Sequence, residues 1–241
     1  MSNLLREYIR ESLLSEAAKG ISDMKNKKIY YTASGSEIQA WLCSARAVDW
    51  ARRNNPNLGY DSIMNRASVG IISAAKDMSG GLPCSGAYIV TWSHVDKEAS
   101  GFGPMLYDVL MELATERGPG LAADRSNVSD DAFNVWDYYH KNRSDVTKTQ
   151  LDDDEGRLTP EDRDDDCSMD AAYGGGDGRY GWWDGPGDED NPWDPDGERV
   201  LRDSPISKVY KSKGTPTLDA LEAAGKLVDI AQAGFGDYDG A

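Results

Sequence analysis

The chain has 241 residues, 39% of them hydrophobic, which is enough apolar material for one sizeable core with extensions. Its formal net charge of -16 excludes nonspecific attraction to nucleic acid or to an anionic membrane surface, and no run of about 18 apolar residues offers a bilayer span. Cys43, Cys84 and Cys167 have no CxxC spacing and read as free thiols of a reducing compartment; His94 and His140 form no zinc pattern, so no metal ligand set is expected.

In chain order, Leu4, Leu5, Tyr8, Ile9 and Leu13 recur at helical spacing and predict an amphipathic N-terminal element over residues 1–24. Ile29 to Thr32 has strand composition. Ser36 with Gln39 three residues later resembles a capping box, and Ile38, Trp41, Leu42, Ala45 and Val48 predict one helix stopped by Asn54-Asn55-Pro56-Asn57. Val69 to Ile72 and Ala87 to Trp92 read as antiparallel neighbours around a turn at Ser79 to Pro83.

The turn Gly101-Phe102-Gly103-Pro104 is the most informative local signal. Its glycines allow close approach of the backbone to a ligand, and Pro104 fits the first helical position. The free N–H groups and dipole of the helix behind it, with Leu106, Val109, Leu110 and Leu113 as apolar stripe, favour an anion. Gly118-Pro119 ends that helix, and Leu121 to Ala123 follows as a short strand. Ser129 caps a second helix, with Val128 and Phe133 placed as a hydrophobic staple and Ala132, Val135, Trp136 and Tyr139 facing inward. Val146 to Leu151 reads as an edge strand.

From Asp152 to Gly197 the chain is dominated by Asp, Glu and Gly, a composition that predicts a solvated, mobile insertion pinned locally by Trp182, Trp183 and Trp193. Asp164-Asp165-Asp166 reads as a solvated charge cluster. Asp194-Pro195-Asp196-Gly197 fails as a calcium loop, because Pro192 occupies the first ligand position and Asp203 the closing one. Order resumes at Ser204-Pro205-Ile206, and Leu218, Leu221, Leu227, Val228 and Ile230 predict a last helix from Thr217. The expected organisation is therefore a leader-like helix over 1–24, a core over 25–151, an acidic segment over 152–203 and a helical extension over 204–241 that packs on the core.

The strand, glycine turn, helix, strand, helix order from Ala87 to Arg143 resembles the GCN5-related N-acetyltransferase (GNAT) family. That family carries Gln or Arg, then Gly-x-Gly or Gly-x-Ala, at a strand-to-helix turn; the matching hexamer here is Glu98-Ala99-Ser100-Gly101-Phe102-Gly103, with Glu98 in the leading position. Ser129-Asp130-Asp131-Ala132-Phe133-Asn134-Val135-Trp136 follows the rhythm of its second helix, with Trp136 where a tyrosine is usual. Runs including Val135-Trp136-Asp137-Tyr138-Tyr139 and Asn142-Arg143-Ser144-Asp145-Val146 are similar to acetyltransferase-like proteins of tailed bacteriophages.

This resemblance implies an α/β (α+β) GNAT-like fold: a central mixed, mostly antiparallel sheet flanked by helices, here with a long acidic Gly-rich insertion. It implies acetyl-CoA as co-substrate, held by Val95, Gly101, Phe102, Gly103, Pro104, Met105 and Ser129. His94, Asp96 or Glu98 would relay a proton from the acceptor amine, and Tyr139, or Tyr138, would return one to sulfur. The acceptor would be an amine-bearing small molecule or protein. Leu14-Ser15-Glu16-Ala17 resembles a phage prohead protease site, which implies either the host cytoplasm or the virion, with phage head components as partners. A catalytically inactive GNAT-like protein is the competing expectation, and an acidic mimic of nucleic acid a third.

Overall fold

The computed structural model describes residues 18–76, 84–124, 128–152, 158–167 and 202–235. The N-terminal helix, the Leu14 to Ala17 site, the Ser79 to Pro83 turn, the three tryptophans of the acidic segment and Asp194 to Gly197 lie outside them. The described elements are β1 (Lys27–Ala33), β2 (Glu37–Ser44), α1 (Ala45–Asn54), α2 (Tyr60–Ala67), β3 (Ser68–Lys76), β4 (Tyr88–Val95), α3 (Gly103–Arg117), β5 (Leu121–Ala122), α4 (Asp130–Asn142), β6 (Val146–Gln150), β7 (Lys208–Ser212), α5 (Pro216–Ala223) and β8 (Leu227–Asp229). They build one mixed eight-stranded sheet in the order β6-β7-β5-β4-β3-β2-β1-β8. β1 to β4 are successive antiparallel neighbours, β5 runs parallel to β4, and β7 lies antiparallel between β5 and β6.

Two expectations along the first half are corrected. Ser36 does not cap a helix. Ser34 Oγ accepts from the N–H groups of Ser36 and Glu37, closing a β1–β2 hairpin, and Glu37–Ser44 is a strand. β2 imitates a helical stripe because both of its faces are buried. Ile38, Ala40 and Leu42 enter the main core under α3, whereas Trp41 and Cys43 enter a second core with Val48 of α1 and Ile63 and Met64 of α2. α1 and α2 therefore cover one face of the sheet and α3 the other, where α3 packs on β2, β3, β5 and β7.

The C-terminal part is not a helical extension. It supplies β7, next to the β6 edge of the sheet, and β8 to the opposite edge, where Leu227, Val228 and Asp229 pair in parallel with β1. α5 ends at Ala223, before the Leu227 and Val228 expected within it. Gly120 sits at φ +135, and a Cβ there would collide with the Tyr210 carbonyl, so β7 closes against this point as only glycine allows.

The start of the acidic segment folds back onto the core. Asp152 and Asp166 form a parallel bridge, Cys167 N–H donates to the Asp152 carbonyl at 3.1 Å, and Leu158 and Cys167 join the main core. Asp165 and Asp166, expected in solvent, are buried at 3% exposure each. Apolar anchors on both sides of the acidic run, absent from the run itself, carry it inward.

Candidate functional site

β5 pairs with β4 at Tyr88↔Leu121 and Ile89↔Ala122, while β4 continues along β3 to Val95. Beyond Ile89 the two parallel strands part. Opposite Ser73 of β3 stands Trp92 and opposite Ala74 stands Val90, so Thr91 is an extra residue, a β-bulge at the mouth of the opening. The bulge changes which groups face the gap. Tyr88 N–H donates to Gly120 on the β5 side, whereas Asp96 N–H donates to Val69 on the β3 side. Alternation back from Asp96 aims the N–H groups of Ser93 and Val95 into the opening that β5 has vacated.

A cavity of about 180 Å³ occupies this opening. Its walls are Val90, Thr91, Trp92 and Ser93 of β4, Tyr107 of α3, Asp124 after β5, and Val128, Ser129, Ala132 and Trp136 around the start of α4. The Tyr107 hydroxyl lies 3.1 Å from Ser93 Oγ. Burial raises its pKa, the Ser93 hydrogen bond opposes that shift and nearby Asp124 adds to it, so the phenol holds its proton. Trp136 meets the Tyr107 ring edge-on, with centroids 5.4 Å apart. Trp92 stands 61% exposed at the mouth, unusual for a large aromatic on a central strand.

The glycine turn adjoins this opening. Gly101 adopts φ +92, and α3 begins at Gly103, so Pro104 takes its second position rather than the first expected. The N–H groups of Gly103 and Met105 stand at positions without an intrahelical acceptor. Phe102 gives no side-chain cap, and the first turn holds no acid. A Cβ on Gly103 would lie 4.0 Å from Val95 Cγ2, so the helix start abuts the end of β4. Tyr107 follows Gly103 by one helical turn, which links the turn to the cavity. Lys19 adds a cation here: its N–H donates to the Gly101 carbonyl at 2.9 Å and its Nζ lies 5.2 Å from the Phe102 ring centroid.

The expected site residues divide into two sets. Val95, Gly101, Phe102, Gly103, Pro104 and Met105 gather where β4 meets α3, Phe102 and Met105 with buried side chains, and Ser129 lines the cavity while its Oγ accepts from Ala132 N–H. His94 is exposed, with Nε2 3.2 Å from Asp96 Oδ1, and Glu98 is exposed in the short 3-10 turn between β4 and α3.

Tyr139 stands outside the cavity lining. It is buried beneath the cavity wall and its hydroxyl donates to Asp108 Oδ1 at 2.6 Å, in a network where Arg143 also reaches Asp108 at 2.8 Å and Asp145 through two bonds of 2.7 Å. That network ties α4 to α3. Tyr138 turns outward, at 39% exposure, and neither tyrosine lines the cavity.

Sequence reading misses Tyr107, Ser93, Trp92 and Asp124. Tyr107 is hidden within an ordinary apolar helix stripe, and nothing local announces the bulge at Thr91 that turns Trp92 and Ser93 toward the gap. The chain matches no family model, no curated protein and no solved structure.

Proposed function

We propose that this protein is a GNAT-like N-acyltransferase that takes an acyl group from acetyl-CoA to an amine. The observation that carries this reading is the opening between the parallel strands β4 and β5, faced by strand N–H groups that no described strand pairs and by a helix start with no side-chain cap among the described residues. Splayed strands beside a glycine-turn helix are what the family resemblance calls for. The residues fit an extended, phosphate-bearing co-substrate: the N–H groups of Ser93 and Val95 match an amide-containing arm, and those of Gly103 and Met105 match phosphate oxygens.

When bound, acetyl-CoA supplies the activated acyl group. Tyr107, protonated and lining the cavity beside Ser93, holds the proton that a leaving thiolate requires and takes the role the family resemblance gives to Tyr139 or Tyr138. A free amine has a pKa near 10.4, so about one lysine-like acceptor in a thousand is neutral at pH 7, and a base raises that fraction at the reaction point. Exposed His94 near the end of β4, paired with Asp96 just beyond the strand, is the base this reading offers. Trp92 offers the acceptor a flat apolar wall.

Calorimetric titration with acetyl-CoA tests the reading. Binding by the wild type and its loss in Gly103→Trp support it; no binding by a folded wild type ends it. In an active preparation, Tyr107→Phe lowers the single-turnover rate about 10²-fold with little change in acetyl-CoA affinity.

A catalytically inactive GNAT-like protein, working as a phage virion or host-interaction component, is the second reading. The full commitment of Tyr139 to Asp108 and the carboxylate of Glu98 in place of Gln or Arg favour it. Binding of acetyl-CoA without turnover of any amine would select it. Mass spectrometry of purified virions reads the phage-head partnership directly, including trimming after Glu16.

A further inference from the structure

We infer that Asp152, Asp165 and Asp166 form a divalent-cation site, best suited to Ca²⁺, that clamps the start of the acidic segment to the sheet. One carboxylate oxygen from each residue lies within 4.8 Å of the other two. Two oxygens on opposite sides of a Ca²⁺ ion stand about 4.6–5.2 Å apart, so a single ion can touch all three. The three side chains are buried, at 0%, 3% and 3% exposure.

Burial of like charges is costly unless something compensates them. Thr159 supplies part of that compensation: its N–H and hydroxyl donate to Asp152 Oδ2, and its hydroxyl lies 3.2 Å from both Asp165 oxygens. Asp152 Oδ1, wholly buried, has no hydrogen-bond partner among the described residues. Among the described residues neither Asp152 nor Asp165 is in an ion pair, and the charged groups acting most strongly on Asp165 are Asp152, Asp162 and Asp166, all acidic. A hard cation with oxygen ligands answers this arrangement. An all-oxygen set excludes a preference for soft metals, and an irregular set from two chain segments suits Ca²⁺ better than octahedral Mg²⁺.

The position gives the ion a task. Asp152 lies two residues past the end of β6, while the carbonyl of Asp164, beside the other two ligands, accepts a hydrogen bond from Ser85 N–H just ahead of β4. Cation binding would join the β6 end, the acidic strap and the entrance to β4 in one closure. This assignment is independent of the acyltransferase reading.

The test uses the full chain stripped with chelator, then titrated with CaCl₂ and, separately, MgCl₂, by calorimetry and thermal melting. The expected result is saturable Ca²⁺ binding near one ion per chain and a rise of several degrees in Tm at about 1 mM Ca²⁺. Asp152→Asn and Asp165→Asn, folded by circular dichroism, each weaken that binding at least tenfold, whereas the exposed Glu222→Gln keeps it. An unchanged Tm and no heat for the wild type overturn the proposal, as does binding that survives both Asp variants, since the ion would then sit elsewhere on this acidic chain. Should either Asn variant fail to fold, Thr159→Val and Asp166→Asn give the second measurement: loss of affinity in Asp166→Asn supports the site and retention overturns it.

Discussion

Two helix starts in this molecule are built in opposite ways. At the start of α5, the wholly buried Glu112 of α3 accepts hydrogen bonds from Thr217 N–H at 2.9 and 3.1 Å and from Leu218 N–H at 2.8 Å. At its own start, α3 has no side-chain cap and no acid in its first turn. One helix thus closes a neighbour's positive end and leaves its own open beside a gap in the sheet. In a chain with 42 acidic residues, the missing carboxylate is not for want of candidates. A filled start is structure. An open one, beside strand backbone that no described strand pairs, is where the proposed co-substrate would place its phosphates.

The sharpest way to break the contrast is Glu112→Ala, which strips the α5 start of its acceptor and leaves buried N–H groups unpaired. A loss of about 3 kcal/mol in urea unfolding is expected. The converse change, Gly103→Asp, places a carboxylate at the open start. It should weaken acetyl-CoA binding about 10- to 100-fold by calorimetry while shifting stability by about 0.5 kcal/mol or less.

Glu112→Gln sharpens the comparison through pH. Burial raises the Glu112 pKa above 4.5 and outweighs the lowering by its bonds to Leu218 and Thr217. A carboxyl that holds its proton more tightly when folded contributes stability below its unfolded pKa and loses it as pH rises through the folded value. The Gln variant lacks that loss, so its deficit against wild type should be largest below about pH 4.5 and shrink toward neutrality in paired urea titrations. The smallest effect belongs to Tyr139→Phe. It removes one donor from Asp108, which keeps Arg143, so about 1 kcal/mol of stability goes while the single-turnover rate stays unchanged. A lost chemical step in that variant would return the acid role to Tyr139.

The parts of the site that were legible in the sequence are those set by local chemistry. Gly101, Pro104 and the cap at Ser129 state their backbone roles within a few residues and mark α3 and α4, while the strand composition of Val69 to Ile72 and Ala87 to Trp92 marks the β3–β4 pairing. What stayed hidden depends on distant partners. β2 looks helical because two separate cores bury its two faces. β7 looks like part of an extension because its neighbours, β5 and β6, lie far back in the chain. The acidic run looks solvated because Leu158, Leu151 and Cys167, which carry it inward, flank it rather than belong to it. The bulge at Thr91 becomes visible only when β4 is laid against β3.

The place of β7 also bears on how the molecule assembles. Gln150 of β6 and Lys208 of β7 meet across 58 positions of sequence, and β7 fills the slot between β5 and β6. On a ribosome, the first six strands emerge while that slot stands empty, with β5 and β6 both presenting bare edges. The sheet can be completed only when the tail arrives, which makes its folding slow and its nascent form prone to stick to other chains. Gly120 decides whether the late strand can enter at all, so its replacement by alanine should show first as insoluble product during expression.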